Sequence, residues 1–491
     1  MTQVEFIDTS TRDGDQSLWG ATGLATADVL AAAPVIDRVG YHALDFTAST
    51  FIGISVRFHH EDPWRRIRLV SAAMPNTPLG MITTGMRFIS WVPAGEDVMA
   101  LAFRLVARNG IRRLQVVDPS NDPARLRDIA ALAHAQGIEE VVLGLTYSIS
   151  PVHTGEYYAE RAAALADCRD MDRFYLKDPG GLLMPAVVRE LAPHFRAAAG
   201  ARSIELHSHC TIGLAPLVYV EGVRAGFHAV HTGCGPLSRG TAQPEVVSTA
   251  RNLEATGCTH ELDLEAQDRV AHQFYALARA KRLPSGGPRE FDAAYYKHQL
   301  PGGMVTTTQR MLAEIRRPEL FEAVLDEVTR VRADMGYPVI VTPVSQFIAT
   351  QATYNVIDGE RWKTVSDETI RYFFGHYGEP PAAVNPDVAD RVLSRPGADK
   401  LRDLRPITLD GARERFGKRI SEEELLLRLT MAGEQVDAML AARGRPLELA
   451  VRDGAGRPPL VELLRALEQR PGISYLEMVR GGERVVWRRG E

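Results

Sequence analysis

Lysine and cysteine are both scarce in this chain. Only six of the 57 basic residues are lysine, so a lysine at a given position invites a specific explanation. The four cysteines show no paired spacing, which predicts reduced thiols in a cytoplasmic protein rather than a disulfide framework. They are Cys168, Cys210, Cys234 and Cys258.

Long apolar runs, an amino-terminal signal and an excess of basic charge are also absent. No segment approaches the roughly 20 apolar residues of a membrane span, and residues 1–5 lack the basic patch of a secretory signal. The formal net charge of -5 gives no reason to expect nucleic acid as a partner. With 45% apolar residues over 491 positions, we expect a soluble chain of two or three domains.

Eight short β-branched or apolar runs alternate with helical patterns along the first part of the chain. The runs are residues 4–8, 43–47, 78–83, 113–118, 140–146, 173–177, 203–209 and 229–233. Several helical segments stop at a glycine, which adopts the left-handed conformation of a helix end without steric cost. These glycines are Gly40, Gly110, Gly137, Gly200, Gly226 and Gly257. Polar residues follow the carboxyl end of nearly every run, which favours an α/β fold of the (β/α)8 TIM-barrel type over an open doubly wound sheet.

The remainder of the chain predicts two further regions. We expect residues 1–285 to form the barrel domain, closed by a long helix over residues 262–282 and a break at Pro284-Ser-Gly-Gly-Pro288. Residues 286–442 are expected to form a mostly helical domain. Residues 443–491 are expected to form a small α+β tail, with strand-like runs at 446–452 and 474–489.

Four side chains at predicted strand ends indicate a metal site. His207 and His209 lie two residues apart on a predicted strand, so both face the same side of the sheet. Such a pair can be ordinary polar lining, but Asp13 follows the first strand and Lys177 ends the sixth. The carboxyl ends of barrel strands converge on one mouth. Two imidazoles and a carboxylate suit zinc, manganese or cobalt.

Lys177 has two interpretations. Its ammonium group would repel a cation, but a buried, neutral amine that reacts with carbon dioxide becomes a carbamate with an anionic oxygen donor. Alternatively, Lys177 forms a structural ion pair with Asp178 or Asp13. The scarcity of lysine in this chain favours the carbamate.

Arg12 and Gln16 flank Asp13 and are placed to bind a substrate. A divalent cation beside a carbonyl oxygen lowers the free-energy cost of forming an enolate. Arg12 and Gln16 are positioned to hold that same oxygen. The alternative for Arg12 is an ordinary salt bridge at the barrel mouth.

The sequence around these residues carries further motifs. Residues 8–17 read Asp-Thr-Ser-Thr-Arg-Asp-Gly-Asp-Gln-Ser, and the other motifs follow in order as far as Gly378. They are Val117-Asp-Pro-Ser-Asn-Asp122, Ser150-Pro-Val-His-Thr154, Lys177-Asp-Pro-Gly-Gly-Leu-Leu183, His207-Ser-His209, Ser238-Arg-Gly-Thr-Ala-Gln-Pro244, His298-Gln-Leu-Pro-Gly-Gly-Met304, Val341-Thr-Pro-Val-Ser-Gln-Phe347 and Gly375-His-Tyr-Gly378. This set resembles the biotin-dependent carboxyltransferases that act on pyruvate or oxaloacetate. That family includes the carboxyltransferase domain of pyruvate carboxylase and the matching subunits of oxaloacetate decarboxylase and transcarboxylase.

The resemblance implies a function and roles for individual residues. It implies an enzyme that exchanges a carboxyl group between carboxybiotin and a small keto-acid-like substrate through a metal-stabilised enolate. Asp13, a carbamylated Lys177, His207 and His209 correspond to the family's metal ligands. Thr306 corresponds to the threonine that carries a proton between biotin and the keto acid, and the helical region is expected to complete the active-site funnel.

Two positions depart from the family pattern. The family places an arginine for the substrate carboxylate after the third strand, whereas Thr84 stands at that position here. Threonine cannot form the bidentate contact of a guanidinium with a carboxylate, so either Arg87 binds the carboxylate or the acceptor is not the usual 2-keto acid. Cys210 replaces an aspartate that follows the second histidine, and we expect it to be a buried, inert thiol rather than a nucleophile.

The partners follow from the resemblance and from one absence. The chain has no lysine after Lys418 and no Ala-Met-Lys-Met-like sequence, so the tail is not a biotinyl domain and biotin is expected on a separate carrier protein. The resemblance also implies a biotin carboxylase subunit and a homodimer.

Two other functions stay open at this point. A metal-dependent aldol- or Claisen-type lyase or synthase shares the barrel, the Arg-Asp-Gly-x-Gln start and the His-x-His pair. Such an enzyme does not require Lys177 or the loop before Thr306. A scaffold subunit that has lost catalysis through Thr84 and Cys210 is the non-enzyme alternative.

Overall fold

The computed structural model describes residues 2–90, 92–341, 343–403, 405–447, 449, 475–480 and 483–488. Within these ranges, no helix combines the length and the apolar character that crossing a bilayer requires.

Eight parallel strands close into a barrel in the order of the chain, with the first strand paired to the eighth. The strands are β1 Glu5–Asp8, β2 Ala43–Ala48, β3 Leu79–Thr84, β4 Ile111–Val117, β5 Glu140–Thr146, β6 Arg173–Asp178, β7 Ile204–Ser208 and β8 Ala229–Thr232. The eight predicted runs and the TIM barrel are therefore confirmed. The six predicted glycine ends are confirmed as well, since their φ angles run from 61° at Gly200 to 122° at Gly110.

Helices surround the barrel, and they are also the main elements of the described residues that follow it. The α-helices of the barrel part are α1 Asp15–Trp19, α2 Thr26–Ile36, α3 Ser49–Ile54, α4 Pro63–Ala73, α5 Glu96–Asn109, α6 Pro123–Ala135, α7 Gly155–Ala163, α8 Pro185–Ala199, α9 Ala215–Ala225, α10 Val246–Glu254 and α11 Leu264–Lys281. Those that follow are α12 Tyr295–His298, α13 Gly302–Glu314, α14 Phe321–Asp334, α15 Val344–Asp358, α16 Asp367–Phe373, α17 Pro386–Leu393, α18 Ala412–Phe416, α19 Glu422–Thr430 and α20 Gly433–Ala441. Short π-helices (Ser10–Gly14, Ser55–His59) and 3-10 helices (Gly235–Leu237, Pro318–Leu320, Ala398–Leu401) complete the set.

The region after the barrel packs in two places. Residues of α13 to α17 form a separate apolar core, which includes Val328, Ile348 and Trp362. By contrast, Leu426 and Met439 belong to the barrel's own core, so α19 and α20 pack on the barrel helices. The division into three domains stays a prediction.

Gln299 and Arg332 fasten the helical region to the barrel mouth. The Gln299 side chain accepts a hydrogen bond from the backbone N–H of Ile149 at 3.0 Å and donates one to its carbonyl at 2.7 Å. Arg332 donates to the same carbonyl and to the Ser148 hydroxyl, both at 2.7 Å. Because Ser148 and Ile149 lie two and three residues after the end of β5, these contacts hold the end of α12 and α14 beside the mouth.

The tail is described only in part. Strands β9 Tyr475–Arg480 and β10 Glu483–Arg488 pair antiparallel, so the predicted strand-like run at 474–489 is a hairpin. The predicted run at 446–452 and the helix after it lie largely outside the described residues.

Candidate active site

Three of the four predicted metal ligands converge on one carboxylate oxygen at the barrel mouth. Asp13 lies on the π-helix that follows β1, and its Oδ2 atom is 3.2 Å from Nε2 of His207 and 3.4 Å from Nε2 of His209. All three side chains are buried, and their ligand atoms lie within 4.8 Å of one another. Lys177 is the neighbour of His207 across β6 and β7, and its Nζ atom lies 3.7 Å from the same Asp13 oxygen. The predicted convergence is therefore observed.

The hydrogen bonds around the two histidines suit metal binding. The Nδ1 atom of His209 lies 2.6 Å from the carbonyl oxygen of Thr241, so it carries the proton and leaves a lone pair on Nε2. The amide nitrogen of Gln243 donates into the space between the acceptors, at 2.9 Å from Nε2 of His209 and 3.2 Å from Asp13 Oδ2. Acceptor atoms that all face the amide nitrogen of Gln243 carry their lone pairs towards one point. A divalent cation binds to such a set of lone pairs.

Charge and burial set the protonation states of this cluster. Burial alone would raise the pKa of Asp13, but Arg12, His209 and Lys177 outweigh it and hold that pKa well below its ordinary value. Burial and the neighbouring Lys177 lower the pKa of His207 well below its usual range, so the imidazole is neutral. Burial also lowers the pKa of Lys177 to about 8. A neutral imidazole and an ionised carboxylate are the metal-binding forms of these groups.

Arg12 is held by acidic side chains on one edge of its guanidinium. Its Nε atom donates to Asp45 Oδ2 at 3.0 Å, Nη2 donates to the same oxygen, and Nη2 is 3.2 Å from Asp13. The salt bridge expected as the alternative role of Arg12 therefore exists. Among the described contacts none uses Nη1, and Arg12 still lines the cavity at the barrel mouth.

A cavity of about 520 Å³ lies over the cluster. The barrel contributes Asp13, Gln16, Thr84 and Lys177 to its lining, and the helical region contributes part of the opposite wall. That wall includes Pro301, Met304, Thr307 and Val341. The predicted substrate-binding side chains Arg12, Gln16, Thr84 and Arg87 all line this one cavity.

Arg87 is a buried cation with unused hydrogen-bond donors. Only 8% of the residue is exposed, and its Nε and Nη1 atoms have no hydrogen-bond partner among the described residues. Its guanidinium lies 4.6 Å from the centre of the Tyr377 ring. Burial lowers the pKa of Arg87 to about 10, so it remains cationic at neutral pH and is available to an anion in the cavity.

The two remaining candidate residues are Thr306 and Cys210. Thr306 lies on α13, but its side chain is outside the described part of the structure. Cys210 is 5% exposed, and burial raises the pKa of its thiol to about 12. The expectation of a buried, inert cysteine agrees with this environment.

Several residues of the site were not found from the sequence. Asp45 is an interior residue of β2 and Tyr377 comes from the helical region, so neither neighbours Arg12 or Arg87 in sequence. Gln243 lies in the motif Ser238–Pro244, and that motif was the one sequence feature that could have pointed to Gln243.

Three comparisons place these features among known proteins. A family model described as a conserved carboxylase domain matches residues 295–448. A pyruvate carboxylase subunit from Methanocaldococcus jannaschii is 35% identical over 391 residues, which are 79% of this chain and 68% of that protein. The 2-oxoglutarate carboxylase large subunit from Hydrogenobacter thermophilus is 28% identical over 476 residues, which are 96% of this chain and 72% of that protein.

The solved structures agree in fold. The carboxyl transferase domain of Rhizobium etli pyruvate carboxylase, solved with oxamate and biotin, aligns with a TM-score of 0.81 at 23% identity. The alignment covers 90% of this chain and 78% of that chain, so the likeness extends past the barrel into the helical region.

Proposed function

The chain belongs to the biotin-dependent pyruvate and oxaloacetate carboxyltransferase family, and on that premise we propose that carboxyl transfer takes place in the cavity above Asp13. The chain is an enzyme that moves a carboxyl group between carboxybiotin and a small enolisable substrate. A 2-oxo acid is the proposed substrate class, since the relatives from M. jannaschii and H. thermophilus are both named for carboxylases of 2-oxo acids. The aldol- or Claisen-type alternative and the scaffold alternative lose their support.

Asp13, His207, His209 and Lys177 would hold the divalent metal. When bound, the metal supplies a Lewis acid at the carbonyl oxygen of a 2-oxo acid. Lys177 contributes as a carbamate in this proposal, because the lowered pKa of its amine leaves more of the neutral form that reacts with carbon dioxide. The donor set alone is the reason for proposing zinc, manganese or cobalt as the metal.

Arg87 and Arg12 bind and orient the substrate in this account. Arg87, a cation that lines the cavity, takes the substrate carboxylate, which Thr84 cannot do because it has no positive charge. Arg12, steadied by Asp45, presents its Nη1 side to the keto oxygen, and Gln16 donates to the same oxygen.

The reaction exchanges one bond for another. In the carboxylating direction the C–N bond of carboxybiotin breaks, a C–C bond forms at C3 of the 2-oxo acid, and the C3 proton moves to the biotin nitrogen. Thr306 carries that proton in our proposal. Its position on α13, beside the cavity-lining residues Met304 and Thr307, supports this role.

Biotin is proposed to arrive on a separate carrier protein that a biotin carboxylase subunit charges, in the cytoplasm. A homodimer is proposed as the assembly, and the domains are proposed as residues 1–285, 286–442 and 443–491. The helical domain completes the funnel through which the biotin arm enters, as the contribution of Met304 and Val341 to the cavity supports.

The single observation that carries this proposal is the buried Arg87, which lies in the same cavity as the Asp13 cluster and whose Nε and Nη1 atoms have no hydrogen-bond partner among the described residues. The test mixes the purified chain with a carrier bearing labelled carboxybiotin and a 2-oxo acid, and measures acid-stable label in the product. A carrier whose biotin-accepting lysine is replaced by arginine is the control. We expect label transfer only with the biotinylated carrier, and full turnover without any biotin would contradict the proposal.

A further inference from the structure

A chain of buried polar groups runs from the interior of the barrel to the candidate metal ligand His207. Oε2 of Glu205 lies 2.9 Å from Nε2 of His231, and Nδ1 of His231 lies 3.2 Å from Nδ1 of His207. Nε2 of His207 then lies 3.2 Å from Asp13 Oδ2. Glu205, His231 and His207 are all 0% exposed, so water cannot take the place of any of these contacts.

The direction of the hydrogen bonds follows from the first member of the chain. Arg113 and Arg173 both form ion pairs with Glu205, which therefore acts as an acceptor. A neutral His231 ring then carries its one proton on Nε2 and offers a lone pair on Nδ1. That lone pair can only accept, so the proton of His207 lies on its Nδ1 atom. The Nε2 atom of His207 is left with a lone pair that faces Asp13.

The ring of His231 is held in place by its neighbours. It stacks on the ring of Tyr175 with a centroid distance of 5.7 Å and an interplanar angle of 1°. Tyr175 in turn lies against Gly144, where an added Cβ atom would overlap the tyrosine ring. The imidazole of His231 therefore has a fixed plane, and with it a fixed direction for its Nδ1 lone pair.

The two candidate histidine ligands are thus oriented by different means. His209 donates from Nδ1 to the backbone carbonyl of Thr241, whereas His207 depends on two other side chains. We propose that Glu205 and His231 are positioning residues of the metal centre, which fix His207 in the Nδ1–H tautomer and present its Nε2 lone pair to a divalent cation. This inference rests on the proposed function only in taking Asp13, His207 and His209 as metal ligands.

Replacing Glu205 with glutamine reverses the chain. The amide oxygen of the new side chain stays on Arg173, as Oε1 of Glu205 does now, so its NH2 group takes the Oε2 position and donates towards His231 instead of accepting from His231 and Arg113. His231 then donates from Nδ1, and the proton of His207 moves to Nε2, where it blocks a metal. We expect Glu205→Gln to weaken metal binding by about 10- to 100-fold, the range found for such supporting residues. His231→Phe keeps a ring beside Tyr175 but removes the acceptor, and should weaken binding similarly.

Glu140→Gln is the matched control. Glu140 pairs with Arg113 in the same ion-pair network but makes no contact with His231. Zinc affinity is measured by competition with a chelator on each folded variant, and thermal unfolding confirms folding. If Glu205→Gln and His231→Phe bind zinc no more weakly than Glu140→Gln does, the proposal is overturned.

The tautomer of His207 can be read without any metal. In metal-free wild-type protein carrying nitrogen-labelled histidine, with His207 assigned by its loss in a His207→Gln variant, the correlation spectrum should show a proton on Nδ1. A proton on Nε2 would overturn the proposal even if no variant folds. Should the wild type bind no metal at all, the proposed function fails, while the tautomer spectrum still decides the hydrogen-bond chain.

Discussion

The guanidinium of Arg87 lies 4.6 Å from the centre of the Tyr377 ring, so a side chain of the helical region holds the buried cation of the barrel mouth in place. Arg87 lies three residues after Thr84 in the chain, and both side chains line the same cavity. In the proposed function, this relationship allows Arg87 to bind the substrate carboxylate in place of an arginine at position 84.

Replacing Arg87 with methionine should impair substrate binding. A charge-assisted hydrogen bond contributes about 1.5 to 3 kcal/mol, so kcat/KM for the 2-oxo acid should fall by about 10- to 100-fold. The fall should come mainly through KM, measured in steady-state assays with saturating carboxybiotinyl carrier. Arg57→Met is the control, because Arg57 lines the same cavity but is exposed. Equal losses in both variants would argue against a carboxylate at Arg87.

Replacing Lys177 with alanine should release the metal. The variant loses one of four proposed donors at a buried site, so its metal content after dialysis should fall to a small fraction of the wild-type content. Elemental analysis of the purified protein measures this content. Lys297→Ala, which changes an exposed lysine of α12, should retain the metal. A Lys177→Ala variant with full metal and full activity would return the lyase or synthase alternative to consideration.

Replacing Gln299 with alanine should loosen the helical region over the barrel. The backbone N–H of Ile149 loses its partner, and the Ile149 carbonyl keeps only the bond from Arg332; we expect a cost of about 1 to 3 kcal/mol in the free energy of unfolding. We expect kcat to fall because α13 carries Thr306, while metal content stays unchanged. Gln309→Ala, an exposed change on α13, should alter neither quantity. Loss of metal in Gln299→Ala would show that the contact acts on the barrel site instead.

Cys210 should resist alkylation in the folded protein. With its pKa raised to about 12 by burial, only about one thiol in ten thousand is ionised at pH 8. After brief treatment with iodoacetamide, peptide mass spectrometry should find label on the partly exposed Cys258 and little on Cys210. In urea both should react. Rapid labelling of Cys210 in the native enzyme would contradict its inert role.

The barrel and the convergence of its candidate metal ligands were predictable from sequence because both depend on local pattern. A strand places alternate residues on one face, which was enough to pair His207 with His209, and strand order placed Asp13 and Lys177 at the same mouth. The strand ends came out within two residues of their predicted positions.

The supporting contacts were not predictable, because they depend on which side chains meet across the barrel. Nothing in the sequence near His207 names His231, which comes from the next strand, or Glu205 as the group beyond it. The π-helix at Ser10–Gly14, which carries Asp13, likewise has no simple sequence signature. The burial of Arg87 beside Tyr377 depends likewise on the helical region, so the sequence offered Arg87 only as one of two alternatives and its role stays a proposal.

The most direct test of the account is a high-resolution crystal structure of the enzyme with a divalent metal and a 2-oxo acid bound. The account predicts anomalous density for one metal among Asp13, His207 and His209, with extra carbamate density on Lys177 reaching the metal. The substrate carboxylate should contact Arg87. An unmodified Lys177 paired with Asp13, or a carboxylate bound away from Arg87, would contradict the account.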